Sequence, residues 1–159
     1  MAELKRLHSA WEVDRTIVLE GDKVILLRLS KFERLDASSV QNPAAVQHHE
    51  STKLMDEILV QVARKVRKYC VIYAVDTVEV AQFDRLYELG DPDEPFALMF
   101  FYRSRHIKLD VGSGNVNKVN FLLETWDVIP LVDASFKAGR QGKSIAYSEK
   151  KFHHAVIKR

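Results

Sequence analysis

Cysteine is almost missing from this 159-residue chain, which has Cys70 as its single thiol. One thiol cannot close an internal disulfide, which suits a reducing compartment, cytosol or nucleus. It also excludes a Cys-x-x-Cys pair and a zinc knuckle. No apolar run approaches the roughly 20 residues that cross a bilayer. The charges of Met1–Leu7 have no apolar stretch behind them, so no secretory leader is expected. A phosphate loop with Gly-x-x-x-x-Gly-Lys spacing is lacking too. So is an RNA-recognition motif with stacking aromatics, since Phe100, Phe101 and Tyr102 lie in a run that reads as core. Sequence-specific RNA reading is thereby unsupported; electrostatic proximity to RNA is permitted.

What is present describes a globular protein. Hydrophobic residues make up 47% and charged residues 29%, unlike a disordered tail, and the length fits one domain with a real core. The formal charge of +2 conceals an asymmetry. From Lys137 onward there are seven basic residues (Lys137, Arg140, Lys143, Lys150, Lys151, Lys158 and Arg159) against Glu149, a net +6, which leaves −4 on residues 1–136. A basic end on a mildly acidic body points either to nucleic acid or an acidic protein face, or to a solvated tail. Composition alone leaves both open.

Along the chain, Ser9–Leu19 reads as a capped helix with Trp11, Ile17 and Val18 on its apolar side, closed by Gly21-Asp22. Val24–Leu27 is a strand buried on both faces. Lys31–Lys53, with Ser38-Ser39, Asn42-Pro43 and His48-His49, lacks apolar periodicity and reads as a long loop or insertion. A helix then opens at Ser51 or Thr52, its stripe Leu54, Ile58, Val62 and Val66 widened by Met55, Leu59 and Ala63. Val71–Val75 is a second buried strand, followed by a short helix over Glu79–Leu89. Phe96–Tyr102 reads as a central strand, turned by Arg103-Ser104-Arg105 into an edge strand, His106–Val111. Asn117–Leu123 looks like a short helix, and a longer one runs from about Asp127 to Ala138 with Pro130 in its first turn. Strands alternating with helices imply parallel crossovers, and the late strand pair adds an antiparallel edge. This is the α/β thioredoxin arrangement, a three-layer α/β/α sandwich on a mixed sheet. The expected domain covers residues 1–143, with 144–159 a basic C-terminal extension.

Several blocks in register carry a more specific likeness: Trp11-Glu12-Val13-Asp14, Met55-Asp56-Glu57, Val71-Ile72-Tyr73, Tyr87-Glu88-Leu89 with Asp91-Pro92, Met99–Arg103, His106-Ile107, Gly112–Asn115, and Asn117-Lys118 with Asn120. Together they resemble the Dim family, the thioredoxin-like component of the spliceosomal U5 small nuclear ribonucleoprotein, from about Leu7 to Lys143. The chain departs from that pattern in a longer loop after the first central strand, in extra residues over Asp93–Leu98, and beyond Lys143, where little matches. The resemblance implies a nuclear, non-catalytic splicing factor of the U5 and U4/U6·U5 tri-snRNP. Its implied partners are the large U5 scaffold protein and other tri-snRNP proteins, with spliceosomal RNA or the 5′ splice site nearby. It implies no cofactor, no membrane and no small-molecule substrate.

Where thioredoxins carry redox cysteines, just after the first long strand, this sequence has Ser30-Lys31-Phe32. Disulfide exchange needs a thiolate and a resolving thiol, and Cys70 reads as small apolar filler. The rival readings are a thiol oxidoreductase using Cys70 with a partner's thiol, and a thioredoxin-like binding module outside splicing. Pro95 stands where thioredoxins hold a cis-proline, which would shape a groove for extended peptides; both isomers are open. His48-His49-Glu50 and His153-His154 invite a metal, but adjacent histidines diverge and no further ligand has chelating spacing. Gly112-Ser113-Gly114-Asn115 reads as a tight turn using glycine and asparagine for positive φ. The candidate protein or RNA contacts are Pro95, Arg103, Arg105, Lys118, Arg140 and Lys143.

Overall fold

Burial on alternating faces organises the protein around a six-stranded mixed sheet. The computed structural model describes residues 3–83 and 93–152. In chain order these form β1 (Lys5–Leu7), α1 (Ala10–Leu19), β2 (Val24–Ser30), a 3₁₀ turn (Ser39–Gln41), α2 (Pro43–Val66), β3 (Cys70–Asp76), β4 (Ala97–Tyr102), β5 (Arg105–Asp110), α3 (Thr125–Arg140) and β6 (Ile145–Tyr147). The strand order is β1-β3-β2-β4-β5-β6. β3 lies parallel to β1 and β2, β4 runs antiparallel to β2 and β5, and β6 joins β5 in parallel.

Every residue of β2 is buried, because both faces of the strand are covered. Val24 and Leu26 pack with Met55, Leu59 and Val62 of α2 and Val128, Leu131 and Val132 of α3. Ile25, Leu27 and Leu29 pack on the opposite face with Val13 of α1. α1 begins where expected: Ser9 Oγ accepts from the Glu12 N–H at 3.1 Å. Its buried side is centred on Val13, however, while Trp11 and Val18 face solvent and the Arg15 guanidinium lies over the Trp11 ring.

The helix expected from Ser51 or Thr52 starts eight residues earlier. Asn42 Oδ1 accepts from the N–H groups of Ala44 and Ala45, and Pro43 occupies the first helical position, where its missing donor is harmless. The buried seam is Ala45, Thr52, Met55, Leu59, Val62 and Val66; it keeps Met55, Leu59, Val62 and Val66 of the expected stripe, while Ile58 and Ala63 are half-buried and Leu54 is exposed. The true loop, 31–42, is organised by Asp36, which accepts from the Ser39 and Ser38 N–H groups and the Ser38 hydroxyl; these bonds hold its carboxyl down at about 2.

Four further differences have local causes. Asn117–Leu123 is irregular, not helical: Val119 exchanges backbone hydrogen bonds with Leu98 at 2.7 and 3.0 Å. Its four-residue apolar spacing to Leu123 serves two inward side chains without a helix. α3 starts at Thr125, so Pro130 lies inside the second turn. β5 is no edge strand, because β6 pairs outside it. β6 lies beyond the expected domain boundary at Lys143, and Phe152 after it is buried in the same core. The helix expected over Glu79–Leu89 falls mostly outside the described residues, as does His153-His154; Val80 and Phe83 are buried on the α1 side. Among the described residues no helix is long and apolar enough to cross a membrane.

Candidate functional site

The sheet has two ends of different chemistry. At the first, β2 and β3 finish and β4 begins, which is where a thioredoxin carries its dithiol. Ser30, the last residue of β2, donates its hydroxyl to the Pro95 carbonyl at 2.7 Å and accepts from the Phe32 N–H at 3.0 Å. Thr52 on α2 places Oγ1 at 2.9 Å from the His48 carbonyl, 3.0 Å from that of Pro95 and 3.1 Å from Ser30 Oγ. Both hydroxyls are buried. The Pro95 carbonyl is thus closed by two side chains of its own chain. No peptide bond among the described residues is cis, so the bond before Pro95 is trans.

Beside this clasp lies a charged cluster that sequence reasoning missed. Arg28 interrupts the apolar run of β2 and is fully buried. Its Nε and Nη2 bind the Asp56 carboxylate at 2.7 and 2.8 Å, and Nη1 reaches Glu33 at 2.9 Å. Glu33 also pairs with Arg6 on β1. A buried guanidinium needs such partners, and a bidentate carboxylate is the geometry that suits it. Burial pushes the Asp56 carboxyl above its ordinary value, with Arg28 pulling the other way. The available signal was a lone arginine between Leu27 and Leu29, with an acid on the buried side of the next helix.

On the other side of Pro95, Glu94 is gripped by Lys118 Nζ at 2.9–3.0 Å and by Asn120 Nδ2 at 3.0 Å. Lys118, a candidate contact by sequence, is therefore buried, with its ammonium held inside. Just before it, Gly112 and Gly114 take φ of 81° and 89°. Asn115 works differently from expectation: it has no positive φ, and its Oδ1 accepts from the N–H groups of Asn117 and Lys118.

Histidines near the clasp are engaged with Phe32. The His48 ring sits 4.9 Å from the Phe32 ring, and His49 Nδ1 donates to the Phe32 carbonyl at 2.6 Å. Among the described residues, no three His, Cys, Asp or Glu side chains converge as a metal-ligand set.

The opposite end collects Arg103, Arg105, Arg140 and Lys143. Arg103 and Ser104 form the two-residue hairpin between β4 and β5 at φ of 49° and 66°, a left-handed pair that normally calls for Asn-Gly. Arg105 Nη1 donates to the Gly142 carbonyl at 3.1 Å, tying the hairpin to the end of α3. The Tyr69, Phe136 and Tyr102 rings form a ladder with centroids 5.5 and 5.6 Å apart. Arg140 lies over Phe136 and Arg103 over Tyr102. Cys70 is at this end too, paired in register with Val24 and buried. Burial pushes its thiol up to about 12, so it is not a thiolate at neutral pH. The seven residues of β2 put it roughly 20 Å from the Ser30 end.

These arrangements define a thioredoxin-like α/β protein with no thiol where the fold carries its redox pair. Solved structures agree on the fold. The chain is similar to chloroplastic thioredoxin z, with a TM-score of 0.57 and 11% identity, covering 87% of this chain and 98% of that one. It is also similar to a Plasmodium falciparum thioredoxin, with a TM-score of 0.54 and 10% identity over 82% of this chain and 97% of that one. A family profile described as "Mitosis protein DIM1" matches residues 3–152, and the chain belongs to that family. The match continues past Lys143, where the sequence reading had found little in common. Spliceosomal protein DIB1 of Eremothecium gossypii is 34% identical over 155 residues, 97% of this chain and 96% of that protein. Mitosis protein dim1 of Schizosaccharomyces pombe is 35% identical over 150 residues, 94% and 93% of the two chains. Human thioredoxin-like protein 4B is 27% identical over 146 residues, 91% and 86%.

Proposed function

We propose that this chain is a non-catalytic pre-mRNA splicing factor of the nucleus, a protein-binding component of the U5 and U4/U6·U5 tri-snRNP. Relatives named as spliceosomal proteins over nearly the full length support the splicing role. The observation that carries the non-catalytic half is the Ser30–Thr52–Pro95 clasp, which stands where disulfide exchange would need two thiols. With no chemistry at that end, the fold serves as a rigid scaffold that holds other proteins by shape and charge. Its partners in this reading are the large U5 scaffold protein and other tri-snRNP proteins, with spliceosomal RNA nearby. Cofactor, metal and small-molecule substrate have no part in it.

The test is affinity purification of a tagged chain from its own organism. U5 and U4/U6·U5 proteins and RNAs are expected to co-purify; their absence defeats the reading. Insulin-disulfide reduction checks the catalytic rival, and turnover lost in Cys70→Ser would establish it.

A further inference from the structure

We propose that the end of the sheet carrying the Arg103–Ser104 hairpin binds the phosphodiester backbone of RNA, an inference that rests on the splicing reading for its choice of polyanion. Three elements bring cations to this end. The last turns of α2 and the residues after it supply exposed Arg64, Lys65, Arg67 and Lys68. The hairpin supplies Arg103 and Arg105, and the end of α3 supplies Lys137, Arg140 and Lys143, all exposed. Among the described residues, the one salt bridge these nine side chains make is a 3.7 Å contact from Arg103 to the exposed Asp22.

Helix dipoles account for part of this charge, since cations are favoured at helix C-termini. They do not account for the hairpin. Its backbone is left-handed at two successive non-glycine residues, a conformation that costs energy for any side chain with a Cβ. A turn chosen for stability alone would carry Asn-Gly; this one keeps a guanidinium at the tip and another beside it. Strain retained at such a position is a mark of function.

The surface suits the repeated phosphates of a flexible strand, because its cations are spread over three elements. The guanidiniums of Arg103 and Arg140 lie on the Tyr102–Phe136 ladder, and Arg105 is braced by Gly142, so the forks are held in place. Fixed guanidiniums match phosphate oxygens bidentately. Tyr102 is buried and Phe136 half-buried, so these rings brace the guanidiniums and are not platforms for bases; the contact expected is with the phosphates.

The experiment uses the purified full chain and a fluorescein-labelled 15-nucleotide oligouridylate, read by anisotropy. Binding is expected at 50 mM KCl, with log K falling against log[KCl] at a slope of about −2 to −3.5, equivalent to three to five phosphates. Reversal of Arg103, Arg105 and Arg140 to Glu together should weaken binding at least tenfold. Reversal of three cations away from this end, Lys5, Arg34 and Lys53, should change it less than twofold. Arg103→Asn separates binding from folding: asparagine fits the left-handed backbone, so Tm holds or rises while RNA binding weakens. Absence of binding at 50 mM KCl, or equal weakening by the two triple reversals, overturns the proposal. So does displacement of the RNA by poly-glutamate as effective as by unlabelled RNA at equal charge, which would assign the surface to an acidic protein. Because the assay needs no particle, its failure leaves co-purification with U5 untouched, and the reverse also holds.

Discussion

The two ends of the sheet handle polar groups in opposite ways. At the Pro95 end, hydroxyls, carboxylates, a guanidinium and an ammonium satisfy one another inside the chain, so little hydrogen-bonding capacity is offered outward. At the hairpin end, cations stand exposed on a ladder of rings and the backbone is strained. A thioredoxin sheet that performs redox chemistry needs its first end open and reactive. Here that end is internally bonded, and the surface we propose for RNA lies at the other, by the far ends of the helices.

The largest expected effect breaks the closed end. Asp56→Ala leaves the Arg28 guanidinium buried with half its partners gone, and should cost about 3–5 kcal/mol in denaturant unfolding. Arg28→Met with Asp56→Leu removes both charges and should cost clearly less. A double variant as unstable as Asp56→Ala would show that packing, not an orphaned charge, is at stake.

A smaller effect is expected where α3 meets the hairpin end. A Cβ built on Gly139 lies 2.4 Å from the Tyr102 ring, far inside contact distance. Tyr102 is wedged between α3 and the sheet and cannot swing away. Gly139→Ala should lose about 1–3 kcal/mol and shift the near-ultraviolet circular dichroism of the tyrosine. Unchanged stability would mean that α3 slides freely on β4.

Cys70 tests the hairpin end by pH. The folded thiol stays protonated to about pH 12, whereas its ordinary value is 9.0. Above pH 9 the unfolded chain releases a proton that the folded chain retains, so stability falls as pH rises. Relative to Cys70→Ala, the protein should lose about 1.4 kcal/mol between pH 8 and pH 10. At pH 8 the native thiol should ignore DTNB and react at once in guanidinium chloride; rapid native reaction would contradict its burial.

Legibility in the sequence followed how many neighbours each element needs. β2, β3 and β4 announced themselves because strands covered on both faces are largely apolar, though Arg28 ended the visible run of β2 at Leu27, three residues short of its end. The first turns of α2 were invisible because Ala45 is their one buried residue; Asn42-Pro43, a helix cap, has the composition of a loop. β1 and β6, three residues each, exist through pairing with β3 and β5 and have no local pattern to detect. At the site, charge alone located Arg103, Arg105, Arg140 and Lys143, but charge carries no direction. Lys118 faces inward because Glu94 lies across from it, and no spacing rule links residues 24 positions apart.

The smallest effect sharpens the contrast where it is most specific. Ser104 holds φ of 66° with a Cβ present. Glycine relieves that strain, and gives back part of the gain through the greater freedom of its unfolded chain. Ser104→Gly should therefore raise stability by about 0.5–1 kcal/mol, seen as a higher denaturation midpoint with an unchanged slope. The Pro95 end has no left-handed non-glycine residue among the described residues, so no similar gain is available there. Ser30→Ala should move the midpoint the other way, leaving the Pro95 carbonyl one donor short. If Ser104→Gly also destabilised, the hairpin would be a relaxed turn, and its arginines would need no explanation beyond the helix dipoles behind them.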